Sequence, residues 1–221
     1  MDTYIEAHKK VFIEVISNSD DVRAEYLANY REAASRFSLA MSQALTTWHQ
    51  LDFGGSERAA EMACVTSLTY SAITLHIQSM KLFLSGCPVA AGNLSRQVVE
   101  TIALALLCSV KSLPVAQKFL ADQYAARDAV RDIRLHQEEL GLSQEALECL
   151  EKCQRFYHLY SHPTKMTVAS YMSYSDEGLY IGAAFDEGKR AFYEKEIERR
   201  VQLADIFPEL LGKVRKQLQA W

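Results

Sequence analysis

The sequence has 221 residues, of which 49% are hydrophobic and 24% charged, so it is long enough to bury one sizeable core or two small ones. Its formal net charge of −4 argues against a protein that coats nucleic acid by charge alone, although a local basic groove stays open. With only 4 prolines and 9 glycines to interrupt it, the chain favours one mostly helical domain.

The cysteines and the apolar runs indicate a cytoplasmic protein. The 5 cysteines form no CxxC pair, and a chain of this length needs no disulfide scaffold, so a reducing compartment is expected. The start, MDTYIEAHKK, is too polar for a signal peptide. The most apolar run, VVETIALALLCSV, contains Glu100 and is too short to span a bilayer, so no membrane association is expected.

The first half of the chain has the apolar spacing of long helices. From Asp20 to about Leu51, apolar residues recur at steps of three and four, and FGGSE then breaks the pattern. Ser56 is the expected N-cap of a second long helix. After SGCP, Pro88 opens a third helix that runs to about Lys111, and because this helix is apolar nearly all round, we expect it at the centre of a bundle.

Two further helices are predicted before residue 163. Pro114 opens the fourth, and Gly141 ends it near residue 140. Ser143 caps the fifth, with Leu142 and Leu147 in the positions of a hydrophobic staple. This helix leads into RFYHLYSHPTK, residues 155–165, where the proline disfavours helix beyond residue 162.

The last part of the chain changes character. Residues 166–185 carry small, β-branched and tyrosine residues around SDEG, which predicts a β-hairpin or an irregular excursion. A final helix begins near Gly188, and Pro208 is expected to kink or split it. Within that helix, KEIERR at residues 195–200 mixes basic and acidic residues, which is typical of a solvated face.

These elements predict an all-α, up-and-down helical bundle with a small β-hairpin before the C-terminal helix. The whole chain, 1–221, is one domain in this interpretation. Its parts are an N-terminal helical arm (1–55), core helices (56–162), the hairpin-like excursion (163–187) and the C-terminal helix (188–221).

Arg96 and Glu100 are the first candidates for chemistry. They lie four residues apart on the apolar third helix and therefore share a face. Charges on a buried helix need partners, so the pair either fixes the register of the helix or forms the polar floor of a pocket.

The stretch RFYHLYSHPTK holds the second group of candidates. If its helix continues to His162, Arg155 and His162 lie two turns apart on one face with His158 between them, while Tyr157 points elsewhere. A guanidinium that binds a phosphate oxygen, beside an imidazole that moves a proton, is a minimal set for cleaving a phosphodiester without metal. The alternative is that Ser161 and His162 only satisfy carbonyls at the helix end.

Other chemistries receive less support from the sequence. His158 and His162 have the i, i+4 spacing of two helical metal ligands, but no third ligand stands out, so no metal is assigned. The sequence contains neither a glycine-rich phosphate loop nor a nucleophile elbow, and no cofactor is expected. A ligand-sensing pocket lined by tyrosines and a non-catalytic scaffold with a structural Arg96/Glu100/His162 network remain open.

Two segments together resemble a known family. GCPVAAGNLSRQVVETIALAL is a central apolar helix with an R-xxx-E step, and RFYHLYSHPTK ends a helix in Ser-His ahead of a hairpin and a last long helix. Across about residues 60–215 this pattern is similar to uncharacterised bacterial all-helical proteins around the HEPN superfamily. HEPN domains are helical bundles that often dimerise, and many are metal-independent ribonucleases, toxins or phage-defence effectors with an R-x4-6-H motif.

The resemblance implies roles for individual residues. Arg155-x6-His162 matches the longest spacing of the motif, although Phe156 stands where active members usually carry a polar residue. Arg155 would bind phosphate and His162 would be the general acid/base, facing their copies across a homodimer. Arg96, Glu100, His158, Tyr157 and Ser161 would support the site. The implied partners are RNA or a nucleotide and an antitoxin-type protein.

Overall fold

The fold is an all-α bundle with a small β-hairpin ahead of the last helix, which confirms the predicted class. A computed structural model describes residues 2–16, 18–51, 59–176 and 178–221, and only the backbone of residues 2–4. The longer helices are α1 (Asp2–Ile16), α2 (Asp20–His49), α3 (Ala59–Leu84), α4 (Pro88–Ser109), α8 (Gln144–His158) and α10 (Arg190–Leu218). The shorter ones are α5 (Val115–Leu120), α6 (Ala129–Leu135), α7 (Gln137–Leu140) and α9 (Lys165–Ala169).

Helix α4 is the centre of the bundle, as predicted. It packs along α3 and contacts α6, α8 and α10. Every residue from Ile102 to Ser109 is buried, so this half of the helix has no polar face. Each fully buried large aliphatic side chain contributes about 1.5–3 kcal/mol relative to exposure, so burial of this half of α4 stabilises the bundle.

The predicted helix ends around Gly141 are confirmed. Gly141 has φ 60°, a left-handed conformation that an L side chain adopts at a cost, and α7 ends there. The Ser143 hydroxyl accepts a hydrogen bond from the Ala146 N–H at 3.1 Å, capping α8. Leu142 and Leu147 are both buried beside this cap.

Several boundaries differ from the prediction. The N-terminal arm contains α1, for which no helix was predicted, and the single helix expected from Pro114 to residue 140 is broken into α5, a 3₁₀ turn at Ala126–Asp128, α6 and α7. Asp122, with φ 57°, is one reason for the break, because a left-handed residue cannot continue a helix. The predicted FGGSE break and the Ser56 cap lie outside the described residues.

The hairpin is shorter than predicted. Its strands are β1 (Met172–Ser173) and β2 (Gly178–Leu179), antiparallel, with Met172 opposite Leu179. Residue 177 in the predicted SDEG turn is outside the described residues. The start of the predicted hairpin is instead α9, because Thr164 and Thr167 form a reciprocal capping box that favours helix.

Helix α10 follows a 3₁₀ turn at Glu187–Lys189 and closes the bundle against α2, α3, α4 and α8. A kink or a split was predicted at Pro208. The helix continues through this residue, so the split does not occur. Phe207 and Leu211 beside the proline are fully buried, and this packing offsets the one backbone hydrogen bond that proline cannot donate.

The interpretation of residues 195–200 as a solvated face is wrong for two of the five charged residues in this segment. Lys195 and Glu198 are exposed, but Glu196 and Arg200 are 0% exposed and lie in the core. Burial of these two charges follows from the position of α10 in the bundle, since both lie on the side of the helix that faces α3, α4 and α8.

A pair of glycine substitutions tests the packing of α4. A Cβ at Gly92 would lie 2.6 Å from Cδ1 of Tyr160, whereas a Cβ at Gly212 in α10 would meet nothing within 4 Å. We expect Gly92→Ala to lower the free energy of unfolding by about 1–3 kcal/mol through overpacking. Gly212→Ala is the matched control and should raise it by about 0.5–1 kcal/mol, because alanine loses less entropy in a helix. Urea titrations measure both, and a stabilised Gly92→Ala would contradict the packing described here.

Candidate functional site

The C-terminal end of α8 positions the candidate residues of RFYHLYSHPTK. The helix ends at His158, four residues before the predicted end, and Leu159 and Tyr160 close it with i→i+3 hydrogen bonds to Phe156 and Tyr157. Residue 162 therefore lies outside the helix, and the two-turn spacing expected between Arg155 and His162 does not apply.

Arg155 and His158 lie in an open groove of about 460 Å³, here called the arginine groove. Its lining residues are Arg96, Glu100, Arg127, Asp128, Gln154, Arg155 and His158. The Arg155 side chain is 70% exposed, and its nearest carboxylate oxygen, on Glu151, is 3.9 Å away. This guanidinium is therefore held loosely and is available to an anion.

His162 lies in an adjacent cavity of about 490 Å³, here called the histidine pocket. Tyr160 and Ser161 also line it, and Pro163 and Leu179 add apolar surface. The rings of His158 and His162 meet edge to face with centroids 5.2 Å apart. His158 thus connects the two cavities, and the structure brings Arg155 together with His158 in one cavity while His162 lies in the other.

Arg96, Glu100 and Ser161 form a polar link between α4 and the end of α8. The Arg96 Nε donates to Glu100 Oε1 at 2.8 Å, and its Nη1 donates to Ser161 Oγ at 2.5 Å. The ion pair is partly open to solvent, with side-chain exposures of 26% and 16%, so it stabilises the fold by no more than about 1 kcal/mol. Ser161 is the residue that contacts Arg96, whereas His162 faces solvent.

A buried polar cluster shares Tyr160 with the histidine pocket, and it was not predicted from the sequence. It consists of Glu196, Arg200, Tyr160, Ser79 and Ser95. Glu196 forms an ion pair with Arg200 and accepts a hydrogen bond from the Tyr160 hydroxyl. Arg200 Nε donates to Ser79 Oγ at 3.1 Å, and Ser79 Oγ lies 2.7 Å from Ser95 Oγ.

Aromatic rings enclose the charges of this cluster. The Arg200 guanidinium lies 4.8 Å from the ring centroid of Phe83 and 5.4 Å from that of Tyr157. Arg200 Nη2 and the Tyr157 hydroxyl have no hydrogen-bond partner among the residues that the structure describes. Burial raises the pKa of Glu196 despite the guanidinium beside it. Tyr157, predicted as a supporting residue of the site, is therefore part of the core.

A signal for the cluster was present in the sequence. The buried stripe of α10 runs through Tyr193, Ile197, Val201 and Ala204, and residues 196 and 200 sit one position before two of its members. A helix that packs on several sides buries such flanking positions as well. The charges of Glu196 and Arg200 led to the prediction that they face solvent. Both are buried because several helices pack against α10.

No cluster of three or more potential metal ligands occurs among the described residues, and in that part of the chain no helix is long and apolar enough to cross a membrane. His158 ends α8 and His162 follows it, so the two imidazoles do not project from one helix as a metal-binding pair does.

No protein-family model, curated protein or solved structure matches the chain. The chemistry of the site therefore has to follow from its own side chains. These are three guanidiniums and two carboxylates in the arginine groove, with two imidazoles in contact at its edge.

Proposed function

We propose that this protein is a HEPN-like RNA-binding protein that cleaves RNA without a metal ion. RNA phosphates bind in the arginine groove, Arg155 holds the phosphate that reacts, and His162 is the general acid/base. The observation that carries the proposal is the loosely held Arg155 guanidinium in an open groove, with two solvent-facing imidazoles in contact beside it.

The charge of the groove supports an anionic ligand. Arginine outnumbers acid in this cavity, whereas the whole chain carries a net charge of −4. Arg127 is exposed, and Arg96 is held in place by Glu100 and Ser161. A planar guanidinium fits two phosphate oxygens at once, which is why arginine is favoured for phosphate recognition.

The chemistry requires proton transfer as well as charge. An imidazole takes the proton of the ribose 2′-hydroxyl, the 2′-oxygen attacks the adjacent phosphorus, and the 5′-oxygen leaves after receiving a proton. The guanidinium stabilises the negative charge that develops on the phosphoryl oxygens. The products are a 2′,3′-cyclic phosphate and a 5′-hydroxyl end.

Cleavage of a fluorescent single-stranded RNA in the presence of EDTA tests the proposal. We expect Arg155→Ala and His162→Ala each to lower the cleavage rate about 10²–10³-fold with the melting temperature unchanged, because both side chains face solvent. Lys152→Ala on the same helix and His49→Ala at the end of α2 are the matched controls, since both are exposed and line neither cavity.

The same assay separates the two imidazoles. His158→Ala should reduce cleavage less than His162→Ala if His162 is the acid/base, and more if the imidazole that shares the groove with Arg155 has that role. Unchanged cleavage in both Arg155→Ala and His162→Ala would overturn the proposal.

The alternative is a non-catalytic scaffold or ligand-binding module. The link from Arg96 to Glu100 and Ser161 favours it, because this link ties α4 to the end of α8 as a structural network would. Under this alternative Arg155→Ala and His162→Ala leave RNA binding unchanged, whereas Arg96→Met lowers the melting temperature.

The proposal includes a cytoplasmic homodimer and an antitoxin-type protein partner, as the HEPN resemblance implies. Large apolar side chains are exposed on α1 and around the hairpin, Phe12, Ile13, Leu179 and Ile181 among them, and are available for association. Light scattering of the purified chain measures the mass in solution and so tests the dimer.

A further inference from the structure

A small cavity separate from the arginine groove and the histidine pocket lies between α9, the hairpin and the start of α10. Its volume is about 270 Å³, and we call it the lysine pocket. Met166, Ala169, Tyr174, Ala191 and Phe192 form most of its wall, and Lys189 contributes the only cation among the lining residues.

Lys189 is unusually buried for a lysine, with 6% of the residue exposed. Its Nζ donates to the Ser170 carbonyl oxygen at 2.9 Å and to the Tyr180 hydroxyl. It also lies 4.6 Å from the ring centroid of Tyr180 and 5.6 Å from that of Tyr174. An ammonium has three N–H donors, so these two hydrogen bonds leave one donor without a partner among the described residues.

No carboxylate neutralises this ammonium by direct contact. Among the described residues, none has a carboxylate oxygen within 4 Å of Lys189 Nζ. The nearest acidic candidate in sequence, Asp186, is engaged elsewhere. Its carboxylate accepts hydrogen bonds from the Tyr174 N–H at 2.7 Å, the Ser175 hydroxyl at 2.6 Å and the Gly188 N–H at 2.9 Å.

The energetics of this arrangement favour an anion. A buried ammonium without a described carboxylate in contact loses hydration that two neutral acceptors, two aromatic faces and the more distant charge of Asp186 restore only in part. Burial correspondingly lowers the pKa of Lys189. An anion that enters the pocket gains a charge-assisted hydrogen bond, and the ammonium gains its missing partner.

We propose that the lysine pocket binds a small molecule with one carboxylate and a short apolar body. The carboxylate accepts the free donor of Lys189, and the apolar body packs against Met166 and Phe192. The volume lies just below the roughly 300–1,000 Å³ of pockets for drug-sized ligands, so the ligand is small.

The lining distinguishes a carboxylate from a phosphate. A phosphate monoester is close to a dianion at neutral pH and needs several donors, whereas this pocket offers one cation on an otherwise largely apolar wall. A ligand with one negative charge on an apolar body matches both the Lys189 ammonium and the apolar part of the wall.

Calorimetric titration of the full chain with hexanoate tests the proposal. Hexan-1-ol and hexylamine have the same apolar body without the negative charge, and inorganic phosphate has the charge without the body. We expect hexanoate to bind about tenfold or more tightly than hexan-1-ol, and hexylamine and phosphate not to bind.

Two variants locate the binding. Lys189→Met keeps the length of the side chain and should reduce hexanoate affinity about tenfold or more while leaving hexan-1-ol affinity unchanged. Ala169→Leu keeps the lysine, fills the pocket and should abolish binding of both compounds, so it tests the site even if Lys189→Met fails to fold. Lys165→Met, an exposed lysine on the same helix α9, is the control and should bind like the unmodified chain.

Three results would overturn the inference. One is equal affinity for hexanoate and hexan-1-ol, the second is phosphate binding as tight as that of hexanoate, and the third is hexanoate binding that survives Ala169→Leu. The proposed RNA-cleavage site and the lysine pocket have different lining residues. Failure of one proposal therefore does not contradict the other.

Discussion

Replacing Arg200 with methionine is expected to lower the free energy of unfolding by about 3–5 kcal/mol. Arg200 and Glu196 are 0% exposed and form an ion pair in the centre of the bundle. Methionine fills a similar volume but leaves the Glu196 carboxylate buried beside the Tyr160 hydroxyl alone, without a positive charge. Removal of one partner of a buried pair is costly because the remaining charge stays buried, and no water solvates it in place of the lost partner. Guanidinium chloride titration measures the loss.

The pH dependence of the stability of Arg200→Met is a second test of the buried ion pair. Burial already raises the pKa of Glu196, and loss of the guanidinium raises it further. The folded state then binds the proton more tightly than the unfolded state, whose pKa is near 4.5. The Glu196 contribution to the stability of Arg200→Met is therefore most favourable below that pH and is lost as the pH rises toward the folded pKa.

Two controls accompany this prediction. The double variant Glu196→Leu/Arg200→Met removes both charges and should recover most of the lost free energy, since apolar replacements of buried pairs are often neutral. Lys152→Met breaks an exposed pair of the same spacing, with Glu148, and should change stability by no more than about 0.5 kcal/mol. A loss in Arg200→Met no larger than that in Lys152→Met would contradict the buried pair.

Acid should destabilise the fold through His76, which is the second large expected effect. His76 is fully buried, its Nε2 lies 3.1 Å from the Arg200 carbonyl oxygen, and its ring packs against Phe37 and Phe207. Burial, aided by the Arg200 charge, lowers the pKa of His76 to about 3, against an ordinary value of 6.5. The folded state therefore binds fewer protons than the unfolded state between these two values.

The direction of the effect follows from linkage. Stability from neutral His76 is present above pH 6.5 and is lost as the pH falls toward 3, at roughly 1.4 kcal/mol per pH unit and about 3 kcal/mol in all by pH 4. His76→Gln keeps an amide donor for the Arg200 carbonyl oxygen but does not titrate. Unfolding free energies from pH 7 to 4 should therefore fall less steeply in His76→Gln than in the unmodified chain.

A histidine at the surface provides the control for this slope. His49→Gln removes an exposed imidazole at the end of α2 and should retain the pH dependence of the unmodified chain. Carboxylates that titrate in the same range contribute equally to all three proteins, so the comparison isolates His76. Parallel curves for His76→Gln and the unmodified chain would show that the imidazole is not held neutral in the core.

Much of the fold was predictable because its signals are local. The apolar stripe of α2, the all-round apolar α4, the Ser143 cap and the left-handed Gly141 each depend on neighbours within a few turns of one helix. The break between α5 and α6 was missed because the left-handed Asp122 carries no glycine or proline signal.

The candidate site was predictable in part. Arg96 and Glu100 pair as their four-residue spacing predicts, since both lie on one regular helix. The prediction that Arg155 and His162 share one helical face assumed that α8 continues to residue 162. The helix ends at His158 instead. Because α8 ends four residues earlier than predicted, His162 lies in a separate cavity. Local sequence propensity does not determine the end of a helix to within a few residues.

The sequence by itself determined the class of the fold, the order of its main helices and which residue types meet at the end of α8. Tertiary structure alone decided that Glu196 and Arg200 are sealed in the core, that Ser161 holds Arg96, and that Lys189 lines an apolar pocket without a carboxylate in contact. The physical reason is that periodicity and capping act within one helix. Burial of a charge depends on how many other helices, distant in sequence, pack against the same side chain.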